Sequence, residues 1–230
     1  MRSSVPPNKQ KHHHHHHKRR HIKARLKALL HGKAISASTY LRFQRQAILL
    51  ATAPTNTMAP IVHCVRHAQG YHNLSVANHV LPDPLLTKYG EEQCCDLAKK
   101  FPFHSNVEAV VASPIKRTVY TALIAFGQDL QSKGLKVVAL PELQETSDLP
   151  CDTGSSPEEL AREFEGKPVD LGLVTPGWNS KQGKFAPTSK AIEGRARDAR
   201  RWLMERPEKE IVVVFHGKPT TRLSLLRQLP

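Results

Sequence analysis

From residue 61 onward the chain alternates short apolar runs with stretches of helical periodicity. IVHCV (61–65), VEAVVAS (107–113), LKVVAL (135–140) and IVVVF (211–215) are near-continuous apolar runs of strand length. Runs of this kind belong to strands buried on both faces of a sheet. The intervening segments carry helix punctuation. Thr87 is placed to cap a helix running to about Lys100, whose closing lysines suit the helix dipole. Ser113-Pro114 reads as a cap followed by Pro at the first helical position, with the helix reaching about Ser132 and stopping at Gly134. Ser156-Pro157-Glu158-Glu159 reads as a capping box, opening a helix to about Glu165. Residues 166–187 are rich in Gly and Pro and read as an irregular excursion. A long helix follows over about 189–206, stopped by Pro207. Strands alternating with helices predict an α/β fold, a three-layer α/β/α arrangement on a mainly parallel sheet.

Charge divides the chain differently. The formal net charge of +14 points at first to a nucleic-acid partner. Residues 1–57, however, hold twelve Lys and Arg and no acid, whereas residues 58–230 carry only +2. Nucleic acid is therefore not the expected partner of the body; the basicity belongs to a low-complexity leader. The leader's Arg- and Ser-containing, acid-free composition fits a transit peptide, or a segment that is disordered or not part of the mature protein. A cytoplasmic location is expected, or a mitochondrial one if the leader is a transit peptide. KHHHHHHK (11–18) would bind nickel or zinc weakly and is given no function. No run of eighteen apolar residues exists, so no membrane span is expected. The four cysteines lack a CxxC spacing and read as structural thiols rather than metal ligands. No metal and no cofactor is expected.

In open parallel sheets, sites form at the carboxyl ends of the strands. Arg66 and His67 follow the first apolar run, Arg117 lies just after the second, Glu145 is five residues beyond Leu140, and His216 follows the fourth run directly. Two imidazoles, two guanidiniums and a carboxylate on one edge suit phosphoryl transfer. An imidazole attacks phosphorus, cations hold the equatorial oxygens, and a carboxylic acid protonates the leaving oxygen. Asp148 and Asp152 lie close enough to Glu145 to serve in its place. His63 alternates within its strand and reads as structural. His72 and His79 read as loop or pocket-rim residues, and Trp178 as either a pocket wall or a hydrophobic anchor.

RHAQGYHN (66–73) resembles the RHG signature of the histidine phosphatase superfamily, whose fold is phosphoglycerate mutase-like. SPIKRTVYTA (113–122), LQE (143–145) and VVVFHG (212–217) resemble its later blocks, in family order, and LPDPLLTKYGEEQ (81–93) resembles its D-x-x-L-T-x-x-G segment. The resemblance implies His67 as nucleophile, Glu145 as proton donor, and Arg66, Arg117, His216 and Asn73 as phosphate ligands. It implies a metal-independent phosphomonoester hydrolase, residues 58–217, working through a phosphohistidine on a small phosphorylated metabolite. Phosphoglycerate mutase-type transfer is the alternative, and a catalytically weak truncated relative with a binding role is another. Family members usually continue with Gly and a covering helix after HG. Here KPTTRLSLLRQLP (218–230) departs from that pattern, so an atypical, truncated tail and an incomplete C-terminal layer are expected, with a weakened scaffold.

Overall fold

The computed structural model describes residues 59–217; the expectations of a leader over 1–57 and of an atypical tail over 218–230 lie outside the described residues. Five strands form one sheet: β1 (Ile61–Arg66), β2 (Ala109–Ala112), β3 (Val137–Ala139), β4 (Val169–Asp170) and β5 (Glu210–Phe215). Their order is β1-β5-β2-β3-β4, and every pairing is parallel. Among the described residues five α-helices accompany them: α1 (Lys88–Lys100), α2 (Lys116–Ala125), α3 (Gly127–Lys133), α4 (Pro157–Glu163) and α5 (Ser189–Met204).

The pleat sorts alternate residues to opposite faces. Val110, Ala112, Val212 and Val214 pack with Cys94 of α1, Val119 and Ala122 of α2, Leu130 of α3 and Leu160 of α4. Ala109, Val111, Ile211 and Val213 pack instead with Ala199 and Leu203 of α5. Each fully buried Val or Leu contributes about 1.5–3 kcal/mol, so both faces hold the sheet in place. This is the three-layer α/β/α arrangement read from the pattern.

The caps expected at Thr87 and Ser156 are present. Thr87 Oγ1 accepts from Gly90 N at 3.0 Å, and Ser156 exchanges hydrogen bonds with Glu159 in a capping box. Gly134 stops α3 with φ +64°, a left-handed conformation that suits glycine. Three local expectations are corrected. The helix expected to start at Ser113-Pro114 starts at Lys116 with Ile115 as its cap, because the Ser113 hydroxyl is engaged by His216. The same helix is two helices, broken at Phe126 (φ −119°, ψ 15°), whose fully buried ring packs edge-on against Phe101. The excursion at 166–187 is not wholly irregular: Val169 and Asp170 pair with Val137 and Val138 as a fifth strand. Two residues are too few to show a period of two, so the pattern was silent there.

The ladder continues past the strand ends and sets the site. His67 N donates to Phe215 O at 3.0 Å, Ser113 N to Val214 O at 3.1 Å, and Leu140 N to Ala112 O at 2.8 Å. The first residues after three strands are thus held by the sheet itself.

Candidate active site

Because β5 lies between β1 and β2, His216 emerges between His67 and the start of α2. The His67 and His216 rings have centroids 5.2 Å apart. His67 is buried, and its Nδ1 donates to its neighbour's carbonyl, Ala68 O, at 2.7 Å. A carbonyl only accepts, so Nδ1 carries the ring proton and Nε2 keeps its lone pair. Burial, and then the Arg117 charge, push the His67 pKa down from 6.5 to about 3. The ring is therefore neutral, and hence nucleophilic, over the ordinary pH range. The turn that carries it is closely packed. Ala68 N donates to Thr121 Oγ1 at 3.1 Å, and Thr87 Oγ1 donates to Gln69 Oε1 at 2.8 Å. Gly90 is required here, since a Cβ on it would lie 2.1 Å from Gln69 O.

Arg117 sits in the first turn of α2 and is fully buried. Its guanidinium donates to Cys151 O at 2.6 Å and to Asp152 Oδ1 at 2.9 Å, and Nη2 lies 3.2 Å from His216 Nδ1. Its Nε has no hydrogen-bond partner among the described residues. Asp152 is in turn held by the Ser147 hydroxyl at 2.6 Å. Asp152, weighed as a possible acid, is thus committed to Arg117, and Asp148 is exposed. Glu145 Oε2 lies 3.9 Å from His216 Nδ1, while Oε1 accepts from Thr146 N at 2.8 Å. Of the three carboxylates weighed, Glu145 is the one set beside the second histidine. The Cys151 thiol is buried and pushed up to about 11 by that burial, which leaves it an inert thiol.

Arg66 is exposed and shares with His67, Gln93, Asp96 and Thr121 the wall of a cleft of about 310 Å³. Asn73 is also exposed. Its Oδ1 accepts from Gly70 N at 3.0 Å and closes the turn after the signature, which leaves only its amide nitrogen for a ligand. His63, read as structural, pairs with Glu210 at 2.9 Å and stacks on Phe103 away from the site. Trp178 proves to be an anchor: it is fully buried, and its indole N–H donates to Ser155 O at 3.2 Å.

Several supporting residues were not singled out from the sequence. Asp83 is buried and accepts from Lys116 N, Ser155 N and the Ser155 hydroxyl at 2.8–2.9 Å. It ties the start of α2 to the loop before α4. Its place as the first residue of D-x-x-L-T-x-x-G was the available signal. Ser113 holds His216 Nε2 at 2.9 Å, a role hidden by its resemblance to a helix cap. Lys181 donates to Glu145 O at 3.2 Å, and burial, with Arg195 next, lowers its pKa to about 8. Nothing in the sequence around Lys181 marks it.

The model of the histidine phosphatase superfamily (branch 1) matches residues 62–227. The chain belongs to that superfamily. A probable phosphatase of Schizosaccharomyces pombe is 29% identical over 162 residues, covering 68% of this chain and 73% of that protein. Phosphoglycerate mutase-like protein 1 of Arabidopsis thaliana is 27% identical over 196 residues, covering 68% of this chain and 67% of that one. Among solved structures, the ecdysone phosphate phosphatase from Bombix mori, in complex with tungstate, aligns with a TM-score of 0.52 at 18% identity, covering 74% of this chain and 78% of that chain. At that identity the likeness concerns the fold. As a member of the histidine phosphatase superfamily, the chain is an enzyme of the phosphatase and phosphoglycerate mutase-like kind. Among the described residues, no helix is long and apolar enough to cross a membrane.

Proposed function

We propose that residues 58–217 form a phosphomonoester hydrolase domain that acts on a small phosphorylated metabolite through a phosphohistidine at His67. The observation that carries this reading is the tautomer of His67. Its Nδ1 proton is held by Ala68 O, so Nε2 is the nitrogen left to attack phosphorus. Nε2 forms a bond to phosphorus in line with the departing oxygen, and Glu145 gives that oxygen a proton. In the second half-reaction Glu145 takes a proton from water, the water oxygen bonds to phosphorus, and the P–N bond breaks. Arg66 and Arg117 supply positive charge where the equatorial oxygens gather, so the chemistry asks nothing of a metal ion.

His216 contributes through the Ser113 hydroxyl. A hydroxyl both donates and accepts. The Arg117 guanidinium can only donate, so at 3.2 Å His216 Nδ1 accepts from Nη2, and the His216 Nε2–H donates to the Ser113 oxygen. His216 thereby holds the Arg117 guanidinium beside His67, where the phosphoryl charge gathers.

A partition experiment tests the covalent route. Two phosphomonoesters with different leaving groups should yield the same ratio of inorganic phosphate to phosphorylated alcohol when a fixed alcohol is added. A ratio that changes with the leaving group contradicts a common intermediate. Loss of turnover on exhaustive chelation, restored by a divalent ion, contradicts the metal-free scheme. Transfer to a sugar acid that outpaces hydrolysis would convert the reading to a mutase.

A further inference from the structure

His72 is the polar group near the proposed nucleophile that this scheme leaves unused. It lies in the 3-10 turn Tyr71–Asn73 and is buried, with 7% relative exposure. Its centroid is 5.4 Å from that of His67, so His67 packs near two imidazoles, His72 and His216. The Nδ1 of His72 is buried and has no hydrogen-bond partner among the described residues. A Cβ on Gly70 would lie 2.8 Å from that Nδ1, so the nitrogen is packed against the glycine backbone, where no acceptor is available.

This packing decides the tautomer. A neutral imidazole carries one proton on one nitrogen. An N–H buried without an acceptor is rarer in native structures than an unsatisfied acceptor. Nδ1 therefore holds the bare lone pair, and the proton sits on Nε2. His67 has the opposite tautomer, fixed by Ala68 O. The charges that act on His72 are Arg117, His79, Glu145 and Arg66, which places the ring within the field of the phosphoryl site. Burial and Arg117 lower its pKa to about 4, so it stays a neutral donor.

We propose that His72 is a further phosphate-binding residue, whose Nε2–H donates to a phosphoryl oxygen of the substrate beside His67. The proposal rests on the phosphoryl-transfer reading of the same site. A neutral donor adds a directed hydrogen bond without adding charge to a site already holding two guanidiniums. It also does not compete with His67 for a proton.

The test uses the full chain and inorganic phosphate. In 15N-histidine NMR spectra, His72 should show a protonated Nε2 and a bare Nδ1, and phosphate should shift the Nε2 signal. An Nδ1-protonated ring, or an Nε2 signal indifferent to saturating phosphate, overturns the proposal. His72→Phe keeps a ring and removes the donor; it should weaken inhibition by inorganic phosphate and by orthovanadate roughly tenfold or more. His72→Gln, which retains an N–H, should recover part of that loss. A folded Phe variant that binds phosphate as tightly as the parent also overturns it. A parent chain that binds phosphate but never becomes phosphorylated at His67 overturns the hydrolase reading instead, and the 15N shift still decides for or against His72.

Discussion

Two arginines stand at the carboxyl ends of the sheet, and their surroundings differ in every respect that matters. Arg66 closes β1, is exposed, and has no ion-pair partner among the described residues. Arg117 opens α2, is fully buried, and is held by Asp152, the Cys151 carbonyl and His216. The first is a charge free to follow a ligand. The second is a charge built into the wall, and its field already reaches the proposed nucleophile, since it lowers the His67 pKa. The difference divides the edge into a gathering side and a fixed side. It also implies that stability and activity are coupled on one side and separable on the other.

The sharpest break of this comparison is Arg117→Ala. Removing one partner of a buried pair costs about 3–5 kcal/mol, because the Asp152 carboxylate is left without its cation. Chemical denaturation should show that loss, and turnover of p-nitrophenyl phosphate should fall at least a hundredfold. Arg117→Lys should restore little, since one ammonium cannot reach the three partners the planar fork reaches. Next in size is Trp178→Ala, expected to cost about 3 kcal/mol by cavity formation in a fully buried site. Gly154 packs so closely on the indole that a Cβ there would lie 2.2 Å from the ring. Gly154→Ala should therefore lower the melting temperature in the same direction.

Acid should weaken the fixed side from within. His67 and His72 have folded pKa values of about 3 and about 4, below the unfolded 6.5. Below pH 6.5 the unfolded chain takes up protons that the folded chain refuses. The stability these neutral rings confer is thus present above pH 6.5. It declines by up to about 1.4 kcal/mol per pH unit for each proton, down to the folded pKa. Denaturant midpoints measured from pH 7 to pH 4 should fall along that course, and the His72→Phe variant should fall less steeply. On the gathering side the expected effects are smaller. Arg66→Ala should raise KM about tenfold while leaving stability within about 0.5 kcal/mol of the parent. Asn73→Ala should cost about 1 kcal/mol through the lost turn bond and change turnover least of all.

The apolar runs carried four of the five strands and their parallel character, because strands buried on both faces leave a continuous signature. They missed β4, whose two residues, Val169 and Asp170, have no pattern to read. The capping residues marked helix starts where the side chain was free to cap, at Thr87 and Ser156. They misled at Ser113, where the hydroxyl is taken by a histidine 103 residues away in sequence. The same holds for the site. Arg66, His67, Arg117, Glu145 and His216 were legible because each follows a strand directly or by a short loop. Asp83, Lys181 and the orphaned His72 nitrogen depend on how loops fold onto one another. Such contacts leave no period and no fixed spacing in the chain.

Every step of the proposed reaction passes phosphate through His67. Rapid acid-free quenching during turnover of a phosphomonoester, followed by peptide mass spectrometry, tests it most directly. An acid-labile, alkali-stable phosphate on the peptide bearing His67, absent from His67→Ala, is the expected result. Turnover that persists with no phosphate on His67, or with the phosphate on His216, would contradict it.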